Sequence, residues 1–208
     1  MALDSYSNLQ SAVIEWSHRE DVVDKLDDFI QIAEEAMFAN PMFPLQLRQM
    51  ETRATATAST SSRFLALPTG FINMRRLKLN LSGGDCDVKY RAPDQMVLVG
   101  SSGIPSFFTV TSQIEFDRVP DSDYTVDMQY FAKPTGLSAS NTTNIILDNH
   151  ATVYLYGCLW ALAEWSNDHE LEARYLSRFL GVIEGINKQY KSGRYGPAPV
   201  MRIEGATP

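Results

Sequence analysis

The sequence predicts an α+β fold: a helical bundle built from N- and C-terminal helices, an inserted and mainly antiparallel β lobe, and an extended C-terminal arm. Three observations point there. Apolar residues recur at helical spacing near both ends of the chain, they alternate with polar ones in the middle, and the last residues are broken up by proline and glycine. The expected segments are 1–44 for the N-terminal helices, 45–146 for the β-rich lobe, 147–192 for the C-terminal helices and 193–208 for the arm. Together they are expected to form one continuous structural unit, because helices from distant sequence must share a core.

Ser7-Asn8-Leu9-Gln10 has the form of a capping box, with Ser7 as N-cap, and Leu9, Ala12, Val13 and Trp16 make a short amphipathic helix to about Ser17. Asp21 is placed to cap a second helix. Its buried stripe is Val22, Leu26, Phe29, Ile30, Ala33 and Met37, and its solvated side is Asp24, Asp27, Asp28, Glu34 and Glu35. Asn40-Pro41 and Pro44 stop it, since proline lacks the N–H and disfavours helix in the residue before it.

From there the period changes. Leu45 to Met50 alternates apolar and polar, and Thr52 to Thr60 alternates Thr with Ala, which suits an exposed strand. Leu67-Pro68-Thr69-Gly70-Phe71 reads as a turn into a strand over Ile72 to Leu81, with Leu77, Leu79 and Leu81 on its buried side. Ser82-Gly83-Gly84-Asp85 is a turn, and Phe107–Phe116 and Tyr124–Phe131 are further strands. Four to six strands are expected between about 45 and 132. Helix returns over His150–Trp165, apolar almost all round and therefore the buried helix of the set. Asn167-Asp168-His169-Glu170 caps a last helix with the stripe Leu171, Tyr175, Phe179, Val182, Ile183, Ile186 and Tyr190, ending at Ser192-Gly193.

Composition narrows the function classes. The 208 residues are 44% apolar and 21% charged, ordinary globular usage, with a net charge of −7. Affinity for duplex DNA comes mainly from Lys and Arg on phosphates, so this acidic chain is a poor DNA binder. It is nonetheless compatible with a conduit through which DNA slides. Cys86 and Cys158 suggest neither a disulfide framework nor a zinc site, and the N-terminus has no signal-peptide pattern. No apolar stretch reaches the ~20 residues needed to cross a bilayer. A soluble protein of a reducing cytoplasm is expected.

No catalytic constellation emerges. His18, His150 and His169 are each placed at a helix start beside acidic residues, without metal-ligand spacing. There is no GxSxG, no GxGxxG, and Gly83-Gly84 is not followed by the Lys-Ser/Thr of a phosphate loop. Asp27-Asp28, Glu34-Glu35, Asp85 with Asp87 and Asp121 with Asp123 read as solvated charge and turn residues; a calcium loop would need further oxygen ligands. Trp16, Trp160, Trp165, Tyr175 and Phe179 fall on helix stripes and read as core. No enzyme activity, cofactor or metal is expected.

Several local patterns resemble the head-to-tail adaptor proteins of tailed bacteriophages, the group that includes tail tubular protein A of short-tailed phages. Tyr6 to Trp16 with Arg19-Glu20-Asp21 resembles the family's opening. Phe29-Ile30-Gln31-Ile32-Ala33-Glu34 is similar to its acidic second helix, and Leu47-Arg48-Gln49-Met50-Glu51 to its approach to the first strand. Leu67 to Phe71 resembles a family turn from which Thr69-Gly70 departs; Phe107 to Val119-Pro120, Tyr154-Leu155-Tyr156-Gly157-Cys158-Leu159 and Ser192-Gly193 match later elements in order. The resemblance implies a structural virion protein of the neck, assembled in the host cytoplasm. It implies a ring of twelve copies between the portal protein and the tail nozzle or tube, with DNA passing through without sequence-specific contact.

A ring subunit needs two complementary side surfaces. The exposed Thr/Ala strand and the C-terminal arm are the segments expected to provide them and to order on assembly. They place the interaction positions at Thr55, Thr57, Thr60, Arg63, Lys191, Arg194, Tyr195, Met201, Arg202 and Ile203. The alternatives are a head-completion or tail-terminator ring protein, a receptor- or carbohydrate-binding tail module, and a cell-wall hydrolase, which would need a carboxylate pair or metal in one pocket.

Overall fold

A computed structural model describes residues 3–39 and 44–195, the last four as backbone only. The described residues form four α-helices and a seven-stranded, mostly antiparallel sheet, an α+β architecture. They divide into two compact units, one from the described residues up to Arg48 together with those from Pro134 onward, and one from Gln49–Lys133.

In the first unit, α1 spans Tyr6–Ser17. Its N-cap is Ser5, two residues before the expected Ser7; the extended Ser5 backbone lets its Oγ accept from the Asn8 N–H at 3.4 Å. α2 spans Leu26–Ala39 after a 3₁₀ turn at Val23–Lys25. Asp21 does not cap it: the Arg19 guanidinium takes that carboxylate in a two-pronged pair at 2.7 and 2.6 Å. The expected stripe of α2 is buried in full, from Val22 through Met37.

α3, Ile145–Trp165, packs against α1, α2 and α4 and is the buried helix its apolar circumference predicts. It begins five residues before the expected His150, because the Asn144 side chain accepts from both the Ile146 and Leu147 N–H groups at 3.1 and 3.0 Å. His150 instead marks a kink inside the helix, with φ −144° and ψ 51°. α4, His169–Tyr195, is capped by Asp168, whose Oδ1 accepts from the Leu171 N–H at 3.1 Å. It runs past Ser192-Gly193, the expected end. Glycine weakens a helix interior by only about 1 kcal/mol unless it adopts a left-handed C′ conformation, so Gly193 alone does not end the helix. Arg194 and Tyr195 therefore belong to α4 rather than to an arm.

Gly157 sets how closely these helices approach. A Cβ there would meet the Ala33 Cβ of α2 at 2.8 Å and the Phe179 ring of α4 at 3.1 Å. Phe179 in turn stacks on Trp160 with centroids 6.2 Å apart.

The second unit is the sheet, in the order β1-β7-β3-β4-β5-β6-β2. Its strands are β1 Glu51–Ala58, β2 Phe64–Leu65, β3 Phe71–Leu81, β4 Gly84–Tyr90, β5 Phe107–Val110, β6 Ile114–Phe116 and β7 Tyr124–Ala132. This exceeds the expected four to six. The Phe107–Phe116 run, read as one strand, is a hairpin turning at 111–113, and β4 and the two-residue β2 are additional. β4 begins at Gly84, where a φ of +125° suits glycine. Leu45–Met50 contributes no strand; Arg48–Met50 is a 3₁₀ turn. β4 and β5 form the parallel pair, across the 91–106 connection. The core gathers Leu77, Leu79, Val88, Phe108, Ile114, Phe116, Val126 and Met128, with the alanines of β1 packed at its margin.

Gly157→Ala is expected to lower stability by about 1–2 kcal/mol in urea unfolding. The crowding against Ala33 and Phe179, ~1–3 kcal/mol, outweighs the ~1 kcal/mol that alanine gains in helix propensity.

Candidate functional site

The Thr/Ala alternation of β1 becomes a two-sided strand. Thr52, Ala54, Ala56 and Ala58 stand opposite Tyr130, Met128, Val126 and Tyr124 of β7 and face the sheet core, while Arg53, Thr55 and Thr57 are exposed on the other side. Thr55 and Thr57 thus share one open face. Thr60 is exposed in the connection to β2, where its N–H donates to Asp123 at 3.1 Å; the half-buried Arg63 offers its carbonyl to the Phe116 N–H at 2.9 Å. Lys191 is exposed on α4, in the other unit. Met201, Arg202 and Ile203 lie outside the described residues.

Two tryptophans read as core are half exposed: Trp16 at 49% and Trp165 at 47%. Both close the last turn of their helices, where the next residue no longer covers them. Trp16 meets Tyr156 edge-on at 6.3 Å, with Arg178 over the Tyr156 ring. Trp165 rests on Phe29, with Arg19 over its face at 5.6 Å. Trp160 and Tyr175 are partly covered and Phe179 is buried.

Not every carboxylate is solvated. Glu34 reaches inward, where its Oε1 accepts from the Leu137 N–H at 2.7 Å and from the Tyr154 hydroxyl at 2.8 Å, pinning the segment before α3 to α2. Burial, with Glu34 nearby, raises the Tyr154 phenol and keeps it protonated, as a donor needs. Asp117, 2% exposed, accepts from the Ser106 and Phe107 N–H groups at 3.0 and 3.2 Å and pairs with Arg118. Asn187 of α4 accepts from the Gln46 N–H and donates to the Pro44 carbonyl. These are structural brackets; sequence alone shows no signal for them, because the partners of Glu34 and Asn187 lie more than a hundred positions away.

The other acidic pairs have ordinary partners: Asp85 with Lys78, Asp87 with Arg76, Asp121 with the Tyr124 hydroxyl. His18 ends α1 in a left-handed conformation, and only His169 stands at a helix start, beside Glu172. Among the described residues no group of three His, Cys, Asp or Glu is placed to hold a metal ion, and no helix is long and apolar enough to cross a membrane.

Cys158 is buried and Cys86 partly exposed. Burial pushes the Cys158 thiol far above its usual range, so it carries no thiolate at neutral pH. A thiol reagent at pH 8 is expected to label Cys86 alone in the folded protein and both cysteines in denaturant, as read by mass spectrometry of the labelled chain.

No curated protein matches the chain. The family model described as SU10 adaptor protein matches residues 4–202, nearly the whole chain and most of both structural units. The chain therefore belongs to the SU10 adaptor protein family, a family of phage head-to-tail adaptors.

Proposed function

We propose that this adaptor forms a ring between the portal protein and the tail nozzle or tube, around the channel through which DNA passes. The family match over residues 4–202 carries this reading. The chemistry agrees with it: several of the described acidic groups serve in ion pairs, a helix cap and a structural bracket, and the family is structural rather than catalytic. A ring subunit is a virion component whose work is to present surfaces, assembled with its partners in the host cytoplasm.

The ring is heterologous: one side of each copy fits the other side of the next, and rotation closes it, at twelve copies as in the adaptors this chain resembles. The net charge of −7 suits a conduit, because phosphates are repelled rather than held and the duplex slides without sequence-specific contact.

Negative-stain electron microscopy of the purified protein, alone and mixed with its cognate portal, tests the proposal. Twelve-fold rings, free or formed only on the portal, are the expected result. A monomer that ignores the portal overturns it.

A further inference from the structure

Among the described residues β1 pairs with β7 alone, over eight consecutive residues without a register shift. Every second residue of such an edge turns its N–H and C=O away from the sheet. Sheets normally protect an edge of this kind with proline, a bulge, an inward charge or a covering segment. β1 has no proline and no bulge, and its core-facing side, Thr52, Ala54, Ala56 and Ala58, carries no charge. Ala54 and Ala56 pack against the sheet core yet stay partly exposed. The apolar face of the sheet thus runs out to its margin on small side chains, which leave room beside them. The 59–63 connection brings β2 near the far end of β1, so the freest length is 51–56.

We infer that the occupant of this edge is residues 200–204 of a neighbouring copy, added as a further strand. Val200-Met201-Arg202-Ile203-Glu204 is free of proline and glycine and is bracketed by Pro199 and Gly205. When extended, Met201 and Ile203 fall on one side, Arg202 and Glu204 on the other. An antiparallel register with Arg53 opposite Glu204 puts Ile203 beside Ala54, Arg202 beside Thr55 and Met201 beside Ala56. Large apolar groups then cover the alanine shelf, opposite charges face each other, and the main chain supplies the hydrogen bonds. The donor is a neighbour because each copy carries one edge and one tail, the complementary pair that a closing heterologous ring requires. This rests on the ring reading above. It makes Thr55 and Thr57 on one copy, and Met201, Arg202 and Ile203 on the next, two halves of one joint.

The test uses full-length chains carrying Cys86→Ser. One bears Thr55→Cys; the others bear a cysteine in place of Val200, Arg202, Glu204 or Ala206, which covers both strand directions. Each pair is mixed, with and without the cognate portal, and oxidised. The expected result is a disulfide-linked heterodimer in the assembled ring, strongest for the 55–202 pair, with hydrogen exchange of the outward β1 amides slowed by at least about tenfold over the free protein. Rings without any link overturn the inference and leave the adaptor reading in place. Links between copies without rings support the strand addition and overturn the ring. Neither rings nor links removes both.

Discussion

The helical unit depends on the missing side chain at Gly157. Because nothing projects there, Ala33 of α2 and the ring of Phe179 of α4 both reach the backbone of α3, and a single methyl group would come within 2.8 Å of Ala33. Phe29, Leu159, Leu162 and Ile183 are buried in the same unit. Interiors packed at crystal-like density have little slack to move. The apolar circumference of α3 follows: a helix with neighbours on several sides cannot keep a polar face.

Polar brackets do for the irregular chain what close packing does for the helices. Glu34 holds the segment before α3, Asn187 holds the segment after α2, and Asp117 holds the start of β5. Each satisfies backbone N–H groups that would otherwise be left without a partner beside the core, where an unmade bond costs roughly 1–3 kcal/mol. Asn144 combines two tasks, capping α3 and donating to the Tyr154 hydroxyl at 2.7 Å, and so joins the helix start to the Glu34 bracket.

Periodicity made the helices and the longer strands legible. The α2 stripe and the in–out alternation of β3 are local consequences of geometry, and every residue of the α2 stripe is buried. Boundaries were harder. The cap of α1 depends on which of two nearby serines is extended, and the hairpin within Phe107–Phe116 has too few turn residues to interrupt an apolar run. Asn144 carried a readable cap signature just ahead of Ile145-Ile146-Leu147. Trp16 and Trp165 lie on apolar stripes but at helix ends, and a stripe says nothing of what covers its last turn. Glu34 looked like its neighbour Glu35 because sequence shows a carboxylate's charge and not its direction. Of the expected interaction positions, Thr55 and Thr57 stand on the open face of β1, as their alternation with alanine implied.

The ladder of β1 on β7 is continuous, while that of β3 on β7 shifts register twice, between Phe71 and Asn73 and between Met74 and Arg76. A one-residue slip in β1 would exchange its rows, sending threonine hydroxyls toward Val126 and Met128 and alanine methyls into water. The strand therefore keeps its own alignment like the teeth of a rack, and the irregularity of the lobe is borne one strand further in. A deletion of a single residue within 51–58 would invert the outer face of the strand beyond the gap, whereas the same loss in the 59–63 connection would leave the pairing of β1 in place.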